Sequence, residues 1–317
     1  MRRLWPGASI HLPFLLCYWC LIMASLGQLR SDHVAAALAM VLVAFYNERS
    51  RQFLSSFVGF IFVAWLYDVS RFFRNFGVTE QSTLLCNLRH AELALFGINA
   101  DGQRETLQDY FFLHHNTVAD LFFALPYGLF LAVAILYAVY LFRVDTRACT
   151  RYAWAFGVLN ILGFATYHVL PAAPPWYFHQ FGCRVDLAAH PFEGEALARV
   201  DAFMAFPYFR GFYGRASEIF GAIPSLHVAY PMLIVFEGWR RHGSFGRALS
   251  VVYWLWMCVA AVYLDHHWVI DLIVGWVYAV SVLWAMRSLV PFRVASLEGG
   301  SAYLARSSNP EKAREKL

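Results

Sequence analysis

Residues Val118–Phe142 read VADLFFALPYGLFLAVAILYAVYLF. A helix needs about 20 mostly apolar residues, at 1.5 Å each, to cross a hydrocarbon core of roughly 30 Å. This stretch meets that requirement with one charged residue, Asp120, near its start. A helix keeps every backbone bond inside its own segment, which is what a bilayer demands. Working outward, seven further stretches read the same way: His11–Leu29, His33–Tyr46, Phe53–Val69, Tyr152–Leu170, Pro224–Trp239, Ala248–Leu264 and Trp268–Val290. The second of the eight spans is short and suits a tight helical hairpin with the third. The expectation is an all-α, polytopic membrane protein with about eight transmembrane helices. Arg2 and Arg3 precede the first apolar run, but no small-residue cleavage site follows, so it reads as a retained span rather than a signal peptide.

The composition agrees. Apolar residues make up 60% of the chain and charged ones 15%, against about 25% charged in an ordinary soluble domain. A soluble domain and a disordered chain are both excluded. Of the 25 basic residues only Lys312 and Lys316 are lysines, both close to the end of the chain.

Arginine placement sets an orientation. With the N-terminus inside, Arg2/Arg3, Arg49/Arg51, Arg143/Arg147/Arg151, Arg240/Arg241/Arg247 and the polar tail 296–317 are cytoplasmic. Short outer turns carry few cations, as the positive-inside rule expects. The long segments 71–117 and 171–222 then lie outside. The boundaries follow as an N-terminal helix pair (1–50), a six-helix membrane core (51–295) and the tail. Leu84–Phe96 and Tyr110–Leu113 are expected along the membrane surface, and Trp176 and Tyr177 in the interfacial aromatic belt. Only Cys86 and Cys183 fall outside, where they either form a disulfide or remain two free thiols.

Two segments carry chemistry. GAIPSLH (Gly221–His227) opens the sixth span and YLDHHWVID (Tyr263–Asp271) enters the eighth, on the same outer face. His267 and Asp271 are four apart, hence stacked on one helix face. Such an aspartate accepts the Nδ1–H bond and leaves Nε2 as a lone pair, making the histidine a nucleophile or base. His227 supplies the complementary proton donor. Alternatives are a self-satisfied i,i+4 pair, and a metal site built from His227, His266, His267 and Asp271. No zinc-type spacing supports the metal, and no cofactor is expected. Asp120 enters the fourth span from the outer face, either to accept hydrogen bonds from a polyol or to cap the helix.

PSLH followed by H-x-x-x-D resembles the type 2 phosphatidic acid phosphatase superfamily. The resemblance implies a six-helix phosphatase-type core and catalysis without a metal. It implies that His267 attacks phosphorus to form a phosphohistidine, that Asp271 orients it, and that His227 acts as general acid, then base. Ser225 would contact phosphate oxygens. The chain departs from the phosphatases where they hold cations. Their K-x6-R-P motif is replaced by LPAAPPWY (Leu170–Tyr177), and the Ser-Arg pair before the nucleophile by Ala260 and Ala261. A phosphodiester has one negative charge and a bulky second substituent, so the missing cations favour a diester. Arg215, with Arg210 second, is the candidate to meet phosphate charge.

PPWY, LARVDAF (Leu197–Phe203), FGAIPSLH and YLDHHWVIDLIVG, in that order, are similar to the fungal inositol phosphorylceramide synthases and their bacterial homologues. That resemblance implies transfer of phosphoinositol from phosphatidylinositol to ceramide in a membrane, with no nucleic-acid partner. The competing classes are a lipid phosphatase or pyrophosphatase of the same superfamily, and a non-catalytic transporter using His267–Asp271 as a proton relay. The arginine bias suggests a GC-rich bacterial genome, hence an inner-membrane protein with its site on the periplasmic face. The oligomeric state is left open.

Overall fold

The computed structural model describes residues 7–189, 194–214 and 219–289. Among them the helices run α1 (Leu15–Ser25), α2 (Ser31–Tyr46), α3 (Glu48–Ser56), α4 (Val58–Ser70), α5 (Cys86–Phe96), α6 (Leu107–Leu113) and α7 (Thr117–Val144). Then come α8 (Thr146–Val169), α9 (Pro175–Phe181), α10 (Glu195–Met204), α11 (Tyr208–Tyr213), α12 (Leu226–Gly238), α13 (Ser244–Tyr263) and α14 (Val269–Leu289). One small antiparallel hairpin pairs Ile98 with Glu105. Short polar caps start the helices. Asn47, Thr106, Asn116 and Asp145 each accept the backbone N–H three residues on, for α3, α6, α7 and α8.

The fold is all-α, as the hydropathy required, and each of the eight apolar stretches contains a helix. Among the described residues α7, α13 and α14 are long and apolar enough to cross a membrane. The expected span Phe53–Val69 is a fourth only as a bent pair, because α3 and α4 meet at 54°. The bend falls at Phe57, where the polar ERSRQFLSS of α3 gives way to the apolar run of α4. The His11–Ser25 stretch, α2 and α12 are apolar but shorter. The tail 296–317 lies outside the described residues. The outer pair is joined to the rest through α2, which packs on both α1 and α3.

At the centre stands α12, surrounded by α7, α8, α13 and α14. Almost every residue of LHVAYPMLIVFEG is buried, as befits a helix that is apolar all round. Two glycines allow close helix approach. A Cβ on Gly59 would sit 2.0 Å from the Ala153 carbonyl, and one on Gly275 would sit 2.4 Å from the Ser225 carbonyl. The second contact brings α14 against the PSLH segment, where Ser225 N–H donates to the Asp271 carbonyl at 3.0 Å.

The two long segments fold together over one end of the bundle. LPAAPPWY runs between two other extended pieces: Ala172 bridges Leu84 on one side and Gly221 on the other. A disulfide joins Cys86 to Cys183, resolving the two alternatives for that pair. Trp176 and Tyr177 are not belt aromatics. Both lie on α9 and are buried, packed with Leu85, Ala173 and Phe220. The amphipathic α5 likewise turns Leu88 and Glu92 inward, against the start of α14.

Candidate active site

The turn 264–268 between α13 and α14 holds His266 and His267, and it is gripped from several sides. Trp176 N–H donates to the Asp265 carbonyl at 2.9 Å, and Trp268 Nε1–H to the Ala173 carbonyl at 2.9 Å. PPWY is therefore scaffolding for LDHHW. Asp265 sits at φ +64°, in the left-handed region that aspartate tolerates better than most residues.

His267 lies just before α14 rather than on it, and Asp271 lies in the first turn. The carboxylate Oδ2 is 3.4 Å from His267 Nδ1 and accepts the Trp268 N–H at 2.8 Å. The Ala222 carbonyl, at 3.2 Å, is the nearer acceptor for Nδ1. Orientation of the ring is thus shared between Asp271 and the backbone of GAIPSLH. With two acceptors facing Nδ1, the network assigns the proton there and leaves a lone pair on Nε2. Burial pulls His267 down to about 3, against the bond to Ala222, which raises it. The ring is neutral at pH 7.

Nε2 of His267 faces His227 Nδ1 at 3.2 Å. His227, in the first turn of α12, meets two phenols: Tyr127 OH at 3.1 Å from Nδ1 and Tyr213 OH at 3.0 Å from Nε2. Its ring stacks on Tyr127 with centroids 4.2 Å apart. The two histidines border an aromatic chamber of about 120 Å³, which shares Tyr213 and His266 with a larger cleft of about 760 Å³. Gln180, Asp201 and Arg210 supply polar groups to the cleft.

The remaining candidates are placed differently. Ser225 is buried, with no hydrogen-bond partner for its Oγ among the described residues, and it does not cap α12. Asp120 is bound through both oxygens, by Arg199 at 3.0 and 3.3 Å and by Tyr263 OH at 2.9 Å. It braces α10 against α7 and α13, while Asn116 does the capping. Arg215 lies outside the described residues. Ala260 and Ala261 are fully buried on α13.

Two networks had no signal in the sequence. Glu92, fully buried, accepts the N–H groups of Val269 and Ile270 at 2.7 and 3.2 Å and so caps α14 from another helix. Gln108 donates to Glu92 at 3.2 Å and to the His267 carbonyl at 3.0 Å. Separately, His179 bridges Asp265 (2.6 Å) and Asp109 (2.9 Å), and Arg89 pairs with Asp109 at 2.7 Å. Burial lowers His179, but its two carboxylates outweigh this and raise it to about 9. Glu92 reads as an ordinary polar face, and His179 as one of 12 histidines.

A family model described as PAP2 superfamily matches residues 102–285. The phosphoinositol dihydroceramide synthase of Bacteroides thetaiotaomicron is 30% identical over 263 residues, 82% of this chain and 85% of that one. The inositol phosphorylceramide synthase of Candida albicans is 33% identical over 52% of this chain and 35% of its own. The catalytic subunit of the Saccharomyces cerevisiae inositol phosphorylceramide synthase is 33% identical over 54% and 43%. No solved structure matches. His227, His267 and the helices α7, α8, α12 and α13 fall within the matched segment, and the chain belongs to the PAP2 superfamily.

Proposed function

We propose that the protein transfers a phospho-headgroup, phosphoinositol, from a glycerophospholipid to the hydroxyl of a ceramide-type lipid, through a phosphohistidine on His267. The observation that carries this reading is the His227–His267 pair, in which Nε2 of His267 stands 3.2 Å from Nδ1 of His227 while Nδ1 of His267 faces the Ala222 carbonyl. Nε2 attacks phosphorus as the bond to the diacylglycerol oxygen breaks, and His227 gives that oxygen its proton. His227 then takes the proton of the incoming hydroxyl, whose oxygen attacks phosphorus and releases His267. Acid–base assistance of this kind contributes roughly 10²–10⁴-fold, and the covalent step divides one hard displacement into two.

The cleft lined by Gln180, Asp201 and Arg210 shares Tyr213 and His266 with the chamber beside the two histidines, which puts polar groups next to the reacting phosphate for a polyol headgroup. The sequence relatives are named for phosphoinositol chemistry on ceramides, which supports the same substrates here. We place the site on the extracytoplasmic face of a bacterial inner membrane, with both termini inside. The arginine pattern and the Cys86–Cys183 disulfide, which persists in an oxidising compartment, support that orientation. Purified protein incubated with headgroup-labelled phosphatidylinositol and ceramide should move label into a new lipid. Water-soluble inositol phosphate as the sole labelled product would overturn the reading.

A further inference from the structure

The superfamily's phosphatases meet phosphate charge with lysine and arginine, and at the corresponding positions this chain has LPAAPPWY and two buried alanines, Ala260 and Ala261. Among the described residues, the chamber beside His227 and His267 is lined by neither lysine nor arginine, but by Tyr67, Tyr127, Tyr167, Tyr213 and Tyr230. Two of these hydroxyls serve the frame: Tyr167 donates to the Pro224 carbonyl at 3.0 Å and Tyr230 to Asn160 Oδ1 at 2.8 Å. Tyr127 and Tyr213 differ. They come from separate helices, stack at 6.1 Å between centroids, and aim their hydroxyls at the two ring nitrogens of His227.

We propose that Tyr127 and Tyr213 form the phosphate clamp of this enzyme, each phenol donating a hydrogen bond to one of the two non-bridging oxygens of a phosphodiester. This rests on the headgroup-transfer reading and deepens it. The nitrogens of His227 and His267 are too close to admit phosphorus, so an arriving phosphodiester displaces the contact between them. The two phenols then exchange His227 for phosphate oxygens. A diester has two non-bridging oxygens sharing one charge, and two neutral donors match that number. A phosphomonoester dianion would lose its hydration without gaining a cation, a cost not met by neutral donors. Donors aimed at developing charge act most strongly in a water-poor site, and a phenol fixed by stacking needs little ordering. The clamp therefore selects diester over monoester as well as aiding the displacement.

The test uses full-length purified protein and phosphatidylinositol bearing sulfur at one non-bridging position, as each phosphorus diastereomer. Sulfur accepts hydrogen bonds poorly, so wild type should slow with both. Tyr127→Phe and Tyr213→Phe keep the rings and lose the hydroxyls. Each should lower kcat about 10²-fold, in the range of one oxyanion donor, with the KM for ceramide unchanged. Each should also abolish the sulfur penalty for one diastereomer, a different one in each variant. A structural tyrosine would leave both penalties in place, and that outcome overturns the clamp while transfer itself stands. Absence of a sulfur penalty in wild type overturns it without any variant. No headgroup transfer by wild type overturns the parent reading instead.

Discussion

Nδ1 of His227 stands 3.2 Å from Nε2 of His267. A near-attack geometry needs phosphorus itself about 3–3.5 Å from the nucleophile, so the two rings satisfy one another until substrate parts them. The nitrogen that would attack and the group that would protonate the leaving oxygen are therefore already adjacent. Wild type given labelled phosphatidylinositol without acceptor should retain acid-labile, alkali-stable label. His267→Ala should hold none and transfer nothing above background. His227→Ala should be slowed by about 10²–10⁴-fold. Undiminished transfer by His267→Ala would end the covalent mechanism.

Glu92 should matter although it touches neither histidine ring. Its carboxylate satisfies two buried N–H groups at the start of α14 and orients Gln108 on the His267 carbonyl. Removing the acceptor leaves buried donors unpaired, at about 1–3 kcal/mol each. Glu92→Ala should lower thermal stability in detergent and cut kcat, since a misplacement of roughly 1 Å at a site can cost about 10²-fold. Glu92→Gln, which restores one acceptor, should recover part of both. Equal kcat in all three proteins would show that α14 does not need this cap.

The contrast between these two pairs explains what the sequence makes legible. Long apolar runs announce helices because lipid leaves the backbone no alternative, and His267 with Asp271 is visible as a local spacing. His227 joins them through a short motif. Glu92 acts on Val269 across 177 residues, and His179 reaches Asp109 and Asp265 across 70 and 86. No local pattern encodes such distances. Tyr127 and Tyr213 are hidden among 17 tyrosines, each resembling an interfacial aromatic. Trp176 and Tyr177 show the reverse error: they look interfacial, and α9 buries them against Leu85, Ala173 and Phe220. Asp120 reads as a polyol acceptor or a helix cap, and its ion pair with Arg199, 79 residues on, has no local pattern to announce it.

His179 gives the fold a pH dependence with a definite sign. Its value in the fold, about 9, lies above its ordinary 6.5, so its stabilisation is complete below about 6.5 and is lost as pH rises through 9. Asp265, which burial raises to about 6 despite the His179 bond, contributes in the same direction between about 4 and 6. Asp109, which His179, Thr106 and Arg89 hold low against the effect of burial, acts oppositely and loses its contribution only in acid. Melting temperature should fall between pH 6.5 and 9, and His179→Gln should flatten that slope. An unchanged slope in the variant would exclude this network as its source.

The Cys86–Cys183 disulfide joins positions 97 apart in the sequence, closing a loop that holds α5, α6, α7, α8 and α9. Chain-entropy estimates for a loop this long reach about 4–5 kcal/mol. Reduction, or the Cys86→Ser/Cys183→Ser double variant, should lower the melting temperature by several degrees and raise susceptibility to protease in the 71–117 segment. Retention of the full melting temperature after complete reduction would mean that packing alone holds the two long segments together.

Gly275 tests whether the spacing of α12 and α14 sets the geometry of the site. A Cβ there would stand 2.4 Å from the Ser225 carbonyl, a backbone atom that has no rotamer to escape through. The helices must separate by about 1 Å to reach an ordinary contact, well above the few tenths of an ångström a packed interior absorbs. That movement would stretch the bond from Ser225 N–H to the Asp271 carbonyl and draw Asp271 and His267 away from Ala222. Gly275→Ala should therefore cut kcat by about 10²-fold, with a smaller effect on the KM for either lipid. Gly211→Ala, where no described residue lies within 4 Å of the new methyl, supplies the comparison and should keep nearly full activity. Equal rates for the two variants would show that α14 can move without disturbing His267, and that the turn 264–268 is held by PPWY and Glu92 instead.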